Sequence, residues 1–423
     1  MEITAAMKSK SRCTLFLLGL LLTSGAFAQS SFYLKDGDRV VFYGDSITEQ
    51  RLYTTFTETF VVTRFPDRKI EFIHSGWSGD RVTGGGGGSI EIRLNRDLIA
   101  FRPTVVTIML GMNDGRYRAF DQELFNTFSG GYEKMVGMIK AALPNVRVTM
   151  IQPSPYDDVT RAPGFEGGYN AVLVRYSQFI KELAQRSGFD VADLNTQVVA
   201  ALVKAKAADE ANALKIVPDR IHPGAPGCLL MAGELLKAWN APAVVSTVDI
   251  DAAAGQVSRA DNTIVSDLQA GAFLSWTQTD KALPMPLDLK DPVSALAIRS
   301  SDFVDTLNRQ MLKITGLKAS NYLLKIDNEE IATLSKEALS EGVNLAVMQT
   351  PMVRQAATVH ALTLKHNNIR FLRWRQIQLP FENDPLVQKP VALGALDSLE
   401  IELVQQQRAA AQPKPHRFQL IPQ

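Results

Sequence analysis

Short runs of mostly apolar residues alternate with helical stretches from Arg39 to about Trp239, and this alternation restricts the fold more than any other feature of the chain. The runs are Arg39–Tyr43, Ile70–His74, Thr104–Leu110, Val146–Ile151 and Phe189–Leu194. None is longer than an ordinary strand, and most lack the polar alternation of a sheet with one wet face, so they suit strands covered on both sides. Between them lie Thr48–Arg64, Ile90–Phe101, Glu123–Ala142, Tyr169–Ser187 and Thr196–Lys206, and Cys228–Trp239 closes the unit. Within 169–187, Val172, Tyr176, Phe179, Ile180 and Leu183 recur at helical spacing and mark a buried stripe. Repeated strand–helix alternation predicts a parallel sheet with right-handed crossovers and helices on both faces. Ligands of such sheets bind beyond the carboxyl ends of the strands.

The pattern changes after about Val244. Val248–Ala252, Thr263–Leu268, Phe273–Gln278, Met311–Leu317, Tyr322–Ile326 and Glu330–Leu334 read as strands without regular helices between them, and Pro284, Pro286 and Pro292 interrupt the middle. Thr350–His366 then reads as a helix with Val353, Ala356, Val359 and Leu362 on one face. At 423 residues the chain exceeds the roughly 250–300 that a single core serves, so two domains are expected: 32–243, and a β-rich region with helix over 244–404. The Gln-, Ala- and Pro-rich residues 405–423 read as a disordered tail.

The first 28 residues read as an export signal. Lys8, Lys10 and Arg12 precede the apolar run Cys13–Leu22, and Ala26-Phe27-Ala28 supplies the small residues a signal peptidase needs. The run is short for a membrane span, which takes about 20 residues, and Cys13 lacks the preceding small residues of a lipoprotein site. The expected product is therefore secreted or periplasmic, with no stable membrane anchor. Removing residues 1–28 takes the formal net charge from +1 to −1, and a near-neutral chain is a poor partner for nucleic acid. Cys228 alone remains, so no intrachain disulfide can form.

Four short blocks carry candidate chemistry. Tyr43-Gly44-Asp45-Ser46-Ile47-Thr48-Glu49 follows the first strand; a serine there projects from the sheet edge, with a helix N-terminus favouring developing negative charge. The same Ser46, with Glu49 three residues on, also suits a helix cap. Gly76-Trp77-Ser78-Gly79-Asp80-Arg81 follows the second strand, where glycine lets a backbone N–H approach a substrate oxygen, or simply makes a turn. Ser78 is not a nucleophile elbow, because Asp80 stands where that motif needs glycine. Gly84–Gly88 lacks the Lys-Ser/Thr of a phosphate loop and reads as a flexible loop near the site mouth. Gly111-Met112-Asn113-Asp114 ends the third strand; Asn113 suits either an oxyanion donor or a turn. Pro218-Asp219-Arg220-Ile221-His222-Pro223-Gly224 precedes the last helix. Its Asp219 and His222, three apart, can meet with the far ring nitrogen free.

In this order the four blocks resemble the SGNH (GDSL-type) hydrolase superfamily over roughly half the chain. The resemblance implies a flavodoxin-like three-layer α/β/α fold with a five-stranded parallel sheet, here with a C-terminal β-rich domain with helix appended. It implies a serine ester hydrolase in which Ser46 is the nucleophile, His222 its base and Asp219 the acid that orients the base. Ser46, Gly79 and Asn113 would form the oxyanion hole. Members often carry Asn where His74 stands, so His74 is expected to be structural and buried near the sheet edge; Trp77 either shapes the pocket or packs. No metal or organic cofactor is implied. The expected substrate is a small-molecule or glycan ester, with short acyl groups, acetyl first; a lysophospholipase or thioesterase is the enzymatic alternative. A carbohydrate-binding role for the C-terminal domain would use Trp276 or Trp374 as a stacking platform, against the plainer reading that both pack in a core.

Overall fold

The computed structural model describes residues 1–2 and 31–423, so the expected export signal lies, apart from its first two residues, outside the described residues. Five strands, β1 (Arg39–Gly44), β2 (Glu71–Gly76), β3 (Val105–Met109), β4 (Arg147–Ile151) and β5 (Asp190–Ala192), form one sheet in the order β2-β1-β3-β4-β5. Every pairing is parallel. Helices α1 (Ser46–Glu49), α2 (Leu52–Arg64), α3 (Ile90–Asp97), α4 (Gln122–Ala142), α5 (Gly168–Ser187), α6 (Thr196–Ala208), α7 (Glu210–Ala213) and α8 (Ala225–Ala238) connect and flank it. The central strands are buried along almost their whole length, which is why their sequences lack alternation. This is the three-layer α/β/α fold that the alternation predicts.

The expected helix 48–64 is in fact two. Arg51 takes the left-handed conformation (φ 60°) and separates α1 from α2. Its guanidinium donates to the Glu49 carbonyl (2.7 Å), which satisfies a helix end that the break leaves open. The glycine run is likewise a correction. Gly84–Gly85 pairs antiparallel with Gly88–Ser89 in a small hairpin packed on Trp77 and Arg93, where a Cβ on Gly87 would come within 2.6 Å of both side chains.

The C-terminal half adds β6 (Val244–Asp251), β7 (Gln256–Asp261), β8 (Thr263–Ala270), β9 (Leu274–Asp280), α9 (Pro292–Arg299), α10 (Phe303–Leu307), β10 (Arg309–Thr315), β11 (Asn321–Ile326), β12 (Glu329–Ser335), α11 (Lys336–Glu341), α12 (Pro351–Phe371), α13 (Lys389–Ala411) and β13 (Pro415–Pro422). β6, β7 and β10 belong to one sheet; a second runs β8-β9-β13-β11-β12. The tail expected to be disordered is therefore the end of a helix followed by the middle strand of a sheet. Ala and Gln are good helix formers, and His416, Phe418 and Leu420 alternate as inward residues along β13.

The expected boundary near Val244 separates two cores but not two bodies: Phe32–Gln423 forms one compact unit. α9 and α10 bury Leu296, Ile298, Phe303 and Leu307 in the first core, while Val62 of α2 belongs to the second. α2 is the seam. Its buried Glu58 accepts from His366 of α12 (2.7 Å), Asn367 (3.1 Å) and Gln407 of α13 (3.0 Å), and lies 3.5 Å from His74. Burial alone would raise the Glu58 pKa, but the two imidazoles outweigh it and hold the carboxyl well below the usual range. His74 is buried on the edge strand β2 with Nδ1 bonded to Thr54 (2.7 Å), a structural placement.

Candidate active site

β1, β2 and β3 end side by side, with Gly44 paired to Gly76 and to Met109. The loops that leave these three ends carry Ser46, Gly79 and Asn113. Close packing at this edge leaves no room for side chains: a Cβ on Gly76 would sit 2.0 Å from the backbone nitrogen of Glu49. Asp45, not Ser46, caps α1, accepting from the Ile47 N–H (3.0 Å). The Ser46 hydroxyl is thereby free, and as the first residue of α1 its N–H has no acceptor within the helix.

That hydroxyl lies 2.8 Å from Nε2 of His222, 176 residues further along the chain. Nδ1 of His222 lies 2.7 Å from Oδ2 of Asp219. The other carboxylate oxygen accepts from the backbone N–H groups of Ile221 (3.0 Å) and His222 (2.7 Å), so the turn itself locks the acid against the ring. Partial burial would raise the Asp219 pKa, but these donors outweigh it and hold the carboxyl below its usual value. A carboxylate only accepts, so the neutral ring carries its proton on Nδ1 and presents Nε2 as an acceptor to the serine. Arg220 adopts a left-handed φ of 73° at the centre of this turn.

Gly79 also has φ near +75°, in open space, and its N–H donates to no backbone acceptor among the described residues. Asn113 is held at both ends of its amide. Nδ2 donates to the Asp80 carbonyl (3.0 Å), tying the third loop to the second, and Oδ1 accepts from the Tyr117 hydroxyl (2.6 Å). One amide hydrogen remains unassigned. Asp45 and Asp114 are buried beneath these loops, and burial, their largest influence, pushes both carboxyls up to about 7.

The cleft over Ser46 is open and encloses about 560 Å3. Its wall includes Arg51, Leu52 and, from the last turn of α12, Phe371. Beyond α12 the chain continues as a π-helical stretch, Leu372–Gln378. There Arg375 lies 3.3 Å over the Trp77 ring and 3.4 Å from Glu49, and Trp374 meets Trp77 edge-on at 6.1 Å. Trp77 thus packs rather than facing the cleft. Among the described residues no group of three or more His, Cys, Asp or Glu side chains is arranged to hold a metal ion.

Residues 42–229 match the GDSL-like lipase/acylhydrolase family. These residues form a GDSL-like hydrolase domain, and the protein is an ester hydrolase. No curated protein sequence matches the chain. Among solved structures, one described as a gut microbial diltiazem-metabolizing enzyme is similar over 92% of this chain and 98% of its own, at 26% identity and a TM-score of 0.79. The likeness therefore extends beyond the hydrolase domain into the C-terminal half. An acetyl xylan esterase from Geobacillus stearothermophilus matches 49% of this chain and 96% of its own, at 20% identity and a TM-score of 0.40.

Of the residues singled out in the sequence, Ser46, His222 and Asp219 form one chain of hydrogen bonds beside the hydrolase domain's open cleft, with Gly79 and Asn113 on the adjoining loops. Three others escaped the sequence reading. Tyr117 had a local signal, four residues beyond Asn113. Arg51 lay inside an apparently continuous helix. Phe371 had none, because nothing local ties it to a site built from residues 46–224. Trp276 is fully buried and stacked on Phe418 at 5.0 Å, and Trp374 is buried, so neither is available as a sugar-stacking platform.

Proposed function

We propose that the protein is an exported serine esterase of short acyl groups, acetyl first, in which Ser46, His222 and Asp219 act as nucleophile, base and orienting acid. The observation that carries this reading is the unbroken series from Ser46 Oγ through both nitrogens of His222 to Asp219, at 2.8 and 2.7 Å. His222 Nε2 takes the hydroxyl proton as Oγ bonds to the ester carbonyl carbon. The tetrahedral oxyanion is met by the N–H groups of Ser46 and Gly79 and by the Asn113 amide. The carbon–alkoxide bond then breaks and the departing alkoxide takes the proton from His222. Water attacks the acyl-serine, gives its proton to the same nitrogen, and the acid leaves as Ser46 is reprotonated. Each oxyanion donor is worth roughly 3–4 kcal/mol in related chemistry.

The acyl preference rests on the open cleft and on a sequence with no long apolar lid. The likeness to a diltiazem-metabolizing enzyme supports a small organic molecule as substrate. A panel of alkyl and glycan acetates, with acyl chains extended from C2 to C12, run beside Ser46→Ala, tests both parts. The expected result is hydrolysis that falls with acyl length and vanishes in Ser46→Ala. Retained hydrolysis in that variant overturns the nucleophile, and a rate that climbs with chain length favours a lysophospholipase or thioesterase. Export rests on the basic, apolar and small-residue segments of 1–28; N-terminal sequencing of the exported protein should begin at Gln29.

A further inference from the structure

One helical turn from the cleft, the surface opens into a second cavity, also of about 560 Å3. The two are lined by successive stretches of the same elements. Leu52 borders the cleft and Phe56 the cavity, and residues four apart on α2 lie on the same face. Pro223 and Gly224 border the cleft, and the next two residues, Ala225 and Pro226, border the cavity. The far wall belongs to α12, where the His360 ring lies flat on Phe56, 4.9 Å between centroids and 3° between planes. Thr59 fixes that ring through Nδ1 at 2.9 Å. Burial lowers the His360 pKa, so the ring is neutral at pH 7 and serves as an apolar wall. A cavity of this size, walled by Phe56, Leu229, Ile298 and Val353 together with the charged Asp288, Lys290, Asp291 and Arg354, has the dimensions of a small-molecule site.

Its position relative to the reacting atoms decides what it would hold. The departing alcohol oxygen must come within reach of His222 Nε2, which returns the proton, whereas the carbonyl oxygen turns toward Gly79 and Asn113. The lining of the cavity begins at Ala225, the residue after the His222-Pro223-Gly224 edge of the cleft, and includes neither the loop of Gly79 nor that of Asn113. We propose that it binds the alcohol portion of the ester when that portion is a bulky apolar group, such as a fused aromatic ring system. This deepens the esterase reading and rests on its assignment of Ser46 and His222.

The test compares ethyl acetate with 2-(1-naphthyl)ethyl acetate, both unactivated alkyl acetates of similar intrinsic reactivity. The wild-type protein should show at least a tenfold higher kcat/KM for the naphthyl ester. Ala357 and Ala225 are both exposed positions on the cavity wall. Ala357→Trp and, separately, Ala225→Trp should bring the ratio close to one. A wild-type ratio below about threefold, or a ratio unmoved in both variants, overturns the proposal. If neither acetate is hydrolysed, the esterase reading fails, and calorimetric binding of 2-(1-naphthyl)ethanol then reads the cavity by itself. Binding that Ala357→Trp weakens at least tenfold supports the cavity; no binding by wild type overturns it.

Discussion

The guanidinium of Arg51 lies 4.0 Å above the ring of Phe371, so the kink behind the Ser46 helix is held by the last turn of α12. Arg51 also donates to Asn368 at 3.1 Å. A cation over an aromatic ring is worth about 0.5–2 kcal/mol. Phe371→Ala should raise KM for a small acetate about three- to tenfold while leaving kcat within about twofold, because the ring bounds the cleft without touching the reacting atoms. Adding Arg51→Ala should cost less than the two single effects combined, since the side chains share one contact. Steady-state kinetics on the four proteins of the cycle check both statements.

In the proposed mechanism Asn113 meets the oxyanion only once negative charge develops. Asn113→Ala should therefore lower kcat about 100- to 1,000-fold with KM changed only a few-fold. Tyr117→Phe removes the hydroxyl that fixes the amide and should lower kcat less, about three- to tenfold. A loss confined to KM in Asn113→Ala would remove the residue from the transition state.

Asp114 gives a pH-dependent stability with a definite sign. Its carboxyl titrates near 7 in the fold and near 3.9 when unfolded. Between those values the folded state keeps a proton that the unfolded chain has released, so the contribution of Asp114 to stability falls as pH rises from about 4 to about 7. Asn carries no such proton and can still accept from the Val82 N–H, the one bond that Asp114 Oδ1 makes. Asp114→Asn should have a Tm higher than wild type at pH 8 by more than at pH 4.5. Thermal unfolding at the two pH values decides it, and an equal difference at both would show that Asp114 is ionised in the fold.

Phe418 is fully buried against Trp276 in the middle of the second core. Phe418→Ala should destabilise the protein by about 3–5 kcal/mol, the usual cost of deleting a buried aromatic ring. Denaturant unfolding measures this directly. A change below about 1 kcal/mol would mean that β13 contributes little to the folded state.

The first half of the fold was legible because its strands are covered on both faces and write uninterrupted apolar runs, while its helices bury a single stripe. The Ser46, Gly79, Asn113 and His222 blocks were legible because each sits where a strand ends or a helix begins. α2 was less transparent: nearly every one of its faces is buried, with Thr54, Thr59 and Glu58 bonded to partners in distant elements, so periodicity does not reveal what it packs against. In the segment after 405 the Gln-, Ala- and Pro-rich composition masks the period-two pattern of His416, Phe418 and Leu420, the signal of the strand. Phe371 reaches the cleft only through tertiary packing, which no local pattern encodes.

Because β13 occupies the centre of its sheet, both strands that flank it, β9 and β11, leave the ribosome before the element that joins them. Until then each presents an unpaired edge, and the second core has no way to close. Chains cut short ahead of Pro415 would carry a hydrolase half beside two orphaned strand ribbons, a form suited to aggregation and to capture by chaperones.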